Sequence, residues 1–397
     1  MRKTLIKVAV VGAVAALAMT GCSNSKKSTG GLSNGGTNTG ANSGGAKQTY
    51  TIAYQGPLSG SNQALGINMD NSVKLAIEQA NAKGDLPFTL KFSDSDDQGD
   101  PAQAPAASDK ILQDSSVMAV VGPAFSGATA AVEPKFTAAN LASVSPSATR
   151  VSLTSSGYKT FFRVVANDGA QGPAAADYLA KQGKKNVYLV DDTSDYGKGL
   201  ADNIQTELKA KGVKYEREGV SDKTSDYSAI ATKVVSSGAD ALYYGGYYAG
   251  GSLFAKALQA AGFKGLAMSD DGSNDPHFVT GAGAAAANGW QFTCACADAT
   301  TDPNEKDFNT AYQAKYNVAP GTYSPEAYDA TNAIISVMKG IGATVTRQGV
   351  VDGLRSVNFA GITKPIKFEA NGEVAGSTIY VYQVTGGKIV LKGKTTD

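Results

Sequence analysis

The sequence predicts an α/β fold of two doubly wound parallel-sheet lobes. Three observations carry that expectation. Short β-rich runs alternate with helical patterns from Tyr50 onward. Runs such as VMAVV and VYLV are apolar along their length, as strands covered on both faces require. The alternation is also laid down twice, over residues 50–145 and again over 187–268. Repeated βα units of this kind give parallel sheets with helices on both sides. A chain of 397 residues has room for two such lobes, each with its own core.

In the first stretch, YTIAY (50–54), FTLKF (88–92), VMAVV (117–121) and LASVS (141–145) read as strands. Met69, Val73, Ala76, Ile77 and Ala80 recur at helical spacing, and that helix stops near Gly84. In the second stretch VYLV (187–190), ALYY (241–244) and GLAM (265–268) are strands, and residues 169–182, 199–211, 228–237 and 251–262 are helical. Ligands of open α/β sheets sit outside the carboxyl ends of the strands, so the residues directly after each strand are the candidate site. Four of those turns share a composition: GPLSGS, GPAFSGAT, SPSAT and DDTSDYG. Each is read as opening a helix and offering backbone N–H groups and hydroxyls to a small anion. Any one of them alone is an ordinary N-cap; four on one cleft point to a ligand.

Composition excludes several classes. Lys and Arg number 36 against 35 Asp and Glu, so the basic excess of a nucleic-acid binder is missing. One His and three Cys leave no multi-His metal site and few routes to an activated nucleophile. No cofactor is expected. A binding protein fits better than an enzyme.

The N-terminus reads as processing signals. Arg2, Lys3 and Lys7 precede an apolar run from Val8 to Met19, too short to span a bilayer. The run ends in MTG before Cys22, which resembles a bacterial lipobox cut ahead of a lipidated Cys. Residues 1–21 are then a signal peptide, and residues 22–397 carry a net charge of −2. From Ser23 to Gln48, 19 of 26 residues are Gly, Ser, Thr or Asn, a composition that stays flexible. Such a leash spans roughly 28 Å root-mean-square. The expected location is extracytoplasmic, lipid-anchored to the cell membrane through Cys22.

In order and spacing, YYGGYY (243–248), DDTSDYGKGLA (191–201), SPSAT (145–149), NDGAQGPAAADYL (167–179) and KPIKFEANGEV (364–374) carry a family likeness. The chain resembles the leucine-isoleucine-valine-binding branch of type I periplasmic substrate-binding proteins over residues 50 to about 390. The resemblance implies two lobes joined by three hinge crossovers near Ala166, Cys294 and Ala370. One lobe would take 49–166 and 296–370, the other 167–295 and 371–397. It also implies an ABC permease and ATPase as partners, and a monomer.

Site residues follow from the same resemblance. Ser126 matches the position that hydrogen-bonds an amino-acid carboxylate, with Phe125 beside it. In SPSAT, Ser147 would offer its carbonyl to the ammonium, Ala148 follows, and Thr149 would offer hydroxyl and N–H to the carboxylate. Tyr196 and Tyr247 form aromatic walls, Asp271 pairs with the ammonium, and Leu65 and Tyr323 flank the ligand side chain. The chemistry is consistent by itself, because a buried zwitterion needs donors for one end and a carboxylate for the other. There are departures. Gly99 and Phe125 stand where well-known members carry a disulfide, Leu65 where Tyr is common, and Asp271 where Glu is usual.

Remaining motifs are weaker. Cys294 and Cys296 form a C-x-C, for which a local disulfide is favoured over free thiols or metal. His277 reads as a surface or helix-start residue. The S-x-x-K in SSGYK lacks its companion motifs, and GAGAAAA follows no strand, so neither implies an enzyme or a nucleotide. The leading expectation is an amino-acid receptor feeding an ABC permease. The alternatives are a sensory receptor domain and an amide- or urea-binding receptor of the same fold.

Overall fold

The computed structural model describes residues 47–397; the signal, Cys22 and most of the Gly/Ser-rich stretch lie outside the described residues. β1 (Thr49–Gly56) is buried at seven of its eight positions, which is why its apolar run is continuous. It pairs in parallel with β2 (Thr89–Asp96) on one side and β3 (Val117–Val121) on the other. β4 (Ala142–Ser145) and β5 (Phe161–Arg163) complete a five-stranded parallel sheet in the order β2-β1-β3-β4-β5. Alternate side chains leave β1 on opposite faces. Ala53 packs with α2 (Ala104–Gln113) and α3 (Ser126–Ala138) through Ile111, Val132 and Phe136. Ile52 and Tyr54 face α1 (Gln63–Lys83), through Met69, Val73 and Ile77. Gly84 ends α1 with φ +71°, as its position predicts. A single turn, α4 (Ser152–Ser155), follows β4.

The second sheet has seven strands in the order β14-β13-β10-β9-β8-β6-β7. Its parallel part is β6 (Asn186–Asp191), β7 (Lys214–Gly219), β8 (Ala241–Gly245), β9 (Leu266–Ser269) and β10 (Gln291–Cys294). α5 (Asp168–Lys181) and α6 (Asp195–Ala210) cover one face through Leu179, Leu200 and Ile204. α7 (Ser228–Ser236) and α8 (Tyr248–Ala261) cover the other through Val234, Phe254 and Leu258. Short helices α9 (Pro276–Ala282) and α10 (Ala284–Ala287) lead into β10.

After β10 the chain returns to the first sheet. α11 (Lys306–Tyr316) and α12 (Ser324–Ile341) pack on α1, and α13 (Arg347–Arg355) packs on β3 and β4. A two-residue pair, β11 (Phe359–Ala360) and β12 (Pro365–Ile366), precedes the last passage. β13 (Tyr380–Thr385) and β14 (Lys388–Lys394) then join the second sheet. This hairpin adds an antiparallel edge to the parallel sheet: β13 runs antiparallel to β10, and β14 antiparallel to β13. A strand that arrives late needs no helical crossover and adds at the open edge. The chain thus passes between the sheets three times. Cys294 and Cys296, at the second passage, are bridged, with Cα atoms 5.1 Å apart. No helix among the described residues is long and apolar enough to cross a membrane.

Candidate ligand-binding site

The residues after the strands meet where the two sheets face each other. Phe125, extended at φ −104° and ψ 146°, caps α3, so Ser126 is the first residue of a 13-residue helix. Tyr196 is the second residue of α6, behind an N-cap Ser194 whose hydroxyl accepts from the Gly197 N–H. Tyr247 caps α8 directly after β8, and Asp271 opens a 3-10 turn directly after β9. Tyr323 precedes α12 with φ +68°, a left-handed conformation that aims its ring across the cleft.

These residues line a void whose cavity volume is about 10 Å³. Leu65, Ala124, Phe125, Ser126 and Ser147 line it from the first sheet; Tyr196, Tyr247, Asp271 and Gly272 line it from the second. Tyr323 completes the wall. That is about the room one ordered water needs. Gly272 is required here: a Cβ would lie 2.9 Å from the Tyr196 ring and 3.0 Å from the Gly246 carbonyl oxygen. Phe125 stacks on Tyr247 across the cleft, with centroids 4.2 Å apart, and Tyr196 packs against Tyr247 at 5.3 Å. These three rings also border a wider, solvent-open cleft outside.

The lobes touch around this void. The Tyr323 hydroxyl donates to Asp271 Oδ2, and Arg150 pairs with Asp195. The Ala249 N–H donates to Asn62 Oδ1 at 3.3 Å, and the Ala64 N–H to the Tyr248 hydroxyl at 3.2 Å. The cleft is closed.

Ala148 and Thr149 are brought near but do not line the void. The Ala148 carbonyl accepts from Arg163 Nη1 at 2.9 Å. Thr149 is fully buried, and its hydroxyl has no partner among the described residues. Nor does SPSAT open a helix directly, since the one turn of α4 begins only at Ser152. The Ser147 hydroxyl is already committed, donating to the Ala124 carbonyl at 2.6 Å. The Ser126 hydroxyl accepts from the Arg150 N–H at 3.2 Å.

The electrostatics are concentrated on one side. Asp271 Oδ1 accepts from Gln171 Nε2 at 2.5 Å. Burial raises the Asp271 carboxyl, partly offset by the bonds from Tyr323 and Gln171. Burial, reinforced by the charge of Asp271, raises Asp270 well above the carboxylate range. Asp270 Oδ2 accepts from the Gly246 N–H at 2.8 Å, and its Oδ1 has no partner among the described residues. Asp168, the first residue of α5, is pushed up to about 7 by burial and then by Asp271. Among the described residues neither of its oxygens has a hydrogen-bond partner, although the Thr149 hydroxyl lies beside it. The leading influences on Asp270 and Asp271 include no cationic side chain. A buried carboxylate group of this kind is costly unless a cation reaches it.

Sequence reasoning missed Asp168, Gln171 and Asp270. Asp168 and Gln171 lie in the quoted NDGAQGPAAADYL and Asp270 directly precedes Asp271, but spacing along the chain gives no sign that α5 meets the β9 turn. His277 sits at the start of α9, beside the capping Asp275 at 2.7 Å and largely exposed, away from the void. Among the described residues no three metal-ligating side chains converge.

Two sheet-based lobes closed over a shared void, with ring and polar groups supplied by both, define a bilobal solute-binding protein. The comparisons agree. The family model described as "Periplasmic binding protein" matches residues 49–388, and the chain belongs to that family, in its Leu/Ile/Val-binding-protein-like, type I branch. It is 31% identical to the Leu/Ile/Val-binding protein homolog 3 of Brucella melitensis over 86% of this chain and 92% of that protein. The branched-chain amino acid transporter substrate-binding protein LivJ of Streptococcus pneumoniae, solved with isoleucine, is 29% identical with a TM-score of 0.80, covering 87% of this chain and 100% of that one. The leucine-binding protein LivK of Thermotoga maritima shares the fold, with a TM-score of 0.81 at 24% identity over 87% and 98%. The family is described as periplasmic, outside the cytoplasm.

Proposed function

We infer that the chain captures a single zwitterionic α-amino acid with an aliphatic side chain and hands it to an ABC permease and its ATPase. One observation carries this reading: the void has one buried carboxylate, Asp271, on one wall, and hydroxyls with a helix N-terminus on the other. An ammonium is the cation that Asp271 lacks. The N–H groups at the start of α3 and the Ser126 hydroxyl suit a carboxylate. Leu65, Phe125 and Tyr247 leave an apolar space for the side chain. The Brucella and Streptococcus relatives, by their names, bind leucine-type amino acids, which supports the same class here.

In this reading Ser126, Ser147, Ala148, Thr149, Tyr196, Tyr247, Asp271, Leu65, Phe125 and Tyr323 form the ligand site. Residues 49–166 with 296–370 move against 167–295 with 371–397, about hinges near Ala166, Cys294 and Ala370. Ligand shifts the population from open to closed, and the closed pair of lobes presents the surface that the permease reads. The protein performs no chemistry on its cargo. It acts as a monomer held at the membrane by lipid on Cys22.

A thermal-shift screen with the twenty amino acids, their amides and urea tests the ligand. Leucine, isoleucine or valine is expected to raise Tm, since a ligand at 100 times its Kd stabilises by about 2.7 kcal/mol. A shift with leucinamide or urea and none with free leucine overturns the reading. Metabolic labelling with palmitate, lost in Cys22→Ala, tests the anchor.

A further inference from the structure

Arg163 is the largest side chain buried without any exposure, and nothing in the ligand site explains it. It ends β5, at the first passage between the sheets. Its fork is fully used. Nε donates to Glu373 Oε2 at 2.9 Å, and Nη2 donates to Glu373 Oε1 at 2.5 Å and to Thr154 Oγ1 at 3.1 Å. Nη1 donates to the carbonyls of Ala148 and Arg150, both at 2.9 Å. Those two carbonyls flank Thr149.

Glu373 lies on the third passage and gathers that hinge around the same group. Its Oε1 also accepts from Thr154 Oγ1 at 2.6 Å and from Asn167 Nδ2 at 2.9 Å; Asn167 is the N-cap of α5. Backbone bonds reinforce the joint. The Arg163 N–H donates to the Gly372 carbonyl at 3.1 Å, and the Asp168 N–H to the Thr149 carbonyl at 2.9 Å. Gly372 sits at φ +89°, where a Cβ would lie 2.2 Å from the Phe161 carbonyl oxygen, so the turn seats directly on β5.

We propose that Arg163, clamped by Glu373, is a positioning residue: it sets the Ser147–Arg150 loop for ligand and ties that loop to the first and third hinge segments. This rests on the amino-acid reading of the site. The physical ground is the price of the arrangement. A desolvated ion pair contributes little net stability, and an apolar pair of equal volume often serves as well. A planar guanidinium, however, holds two carbonyls and a carboxylate in one fixed geometry, which no apolar pair and no lysine reproduces. A change of hinge angle at residues 370–373 therefore reaches the Ser147–Arg150 loop through one rigid group, and ligand contact at Ser147 reaches the hinge by the same route.

The test compares Arg163→Lys and Glu373→Gln with the wild-type chain. Leucine binding is measured by calorimetry and stopped flow, well below each Tm. Both folded variants are expected to lose about tenfold or more in affinity, mostly as faster release, and to be non-additive with Thr149→Ala while additive with Tyr247→Ala. If Arg163→Lys does not fold, Glu373→Gln, which keeps a carbonyl acceptor, carries the measurement. Wild-type affinity in the folded variants, or full additivity with Thr149→Ala, overturns the proposal. Hydrogen exchange without ligand separates this from the amino-acid reading. The amides of Ser147, Ala148 and Arg150 are expected to lose protection, while those of Gly245 to Tyr247 keep it. Equal loss at both places means general loosening and overturns positioning. Absence of leucine binding by the wild type overturns the ligand class instead, and leaves the exchange result to decide on Arg163.

Discussion

On the wall supplied by the first sheet, Ser126 and Ser147 present hydroxyls beside the start of α3, with Leu65, Ala124 and Phe125 between them and no ionisable group. On the facing wall stand Tyr196, Tyr247 and Asp271, with the buried carboxyls of Asp168 and Asp270 behind. One half offers donors and apolar surface; the other offers negative charge and aromatic rings. Neither half alone satisfies both ends of a zwitterion. The difference teaches why capture and closure are one event. An ammonium docked on Asp271 leaves its carboxylate unpaired until the α3 side arrives, so the full gain comes only in the closed state. Tyr323 already spans the two halves, since it leads into α12 on the first-sheet side and donates to Asp271 on the other.

Breaking the acidic side has the largest expected effect. Asp271→Ala removes the carboxylate that meets the ammonium, and amino-acid affinity is expected to fall by ~100-fold or more, near 3 kcal/mol, by calorimetry. Asp168→Asn acts on stability and its pH dependence. The folded-state value near 7 lies above the ordinary carboxylate value, so the native protein holds this proton where the unfolded chain has released it. Stability from this group is present below about pH 4 and is lost as pH rises toward 7. Denaturant titrations of ligand-free Asp168→Asn at pH 5 and pH 8 are expected to show a shallower decline than wild type, by an order of a few kcal/mol. An unchanged slope refutes the assignment.

Cutting the span between the halves comes next. Tyr323→Phe deletes the hydroxyl donated to Asp271, at an expected cost of ~1.5 kcal/mol, or about tenfold in Kd, with the fold intact by circular dichroism. On the neutral side, Ser126→Ala is expected to cost only ~1 kcal/mol in binding, because the helix N–H groups remain. A loss as large as that of Asp271→Ala would reverse the two walls. The smallest effect belongs to the exposed Arg150–Asp195 pair, where Arg150→Ala is expected to change affinity by less than ~1 kcal/mol and to lose even that in high salt.

Much of this was legible along the chain, and the failures are physical. β1 and β3 announced themselves because strands buried on both faces must be apolar throughout. β7, KYEREG, lies at the edge of the sheet with polar groups along its length, and no apolar signal marks it. β5 is three residues long, too short for any period to show. α6 begins at Asp195, four residues before the helix read from periodicity, because its first turn carries Asp195, Tyr196 and Gly197 for the cleft rather than core residues. At the site, eight of the ten residues named from the family pattern line the void, since motifs at strand ends are local. Asp168 and Gln171 escaped because their partners lie about a hundred residues away on another turn.

By itself the sequence determined the two α/β units, the turns that carry the site, and the kind of group each turn can offer. These are local properties: hydrophobic period, capping, and the backbone freedom of glycine. Only the tertiary structure decided which of those groups meet. It set Tyr323 on Asp271, held the Ala148 carbonyl on Arg163, massed the carboxyls of Asp168, Asp270 and Asp271 at one wall, and sent β13 and β14 antiparallel onto the second sheet. Such pairings depend on how the helices and sheets pack across the three passages, and that geometry is a sum over the whole core rather than a property of any segment.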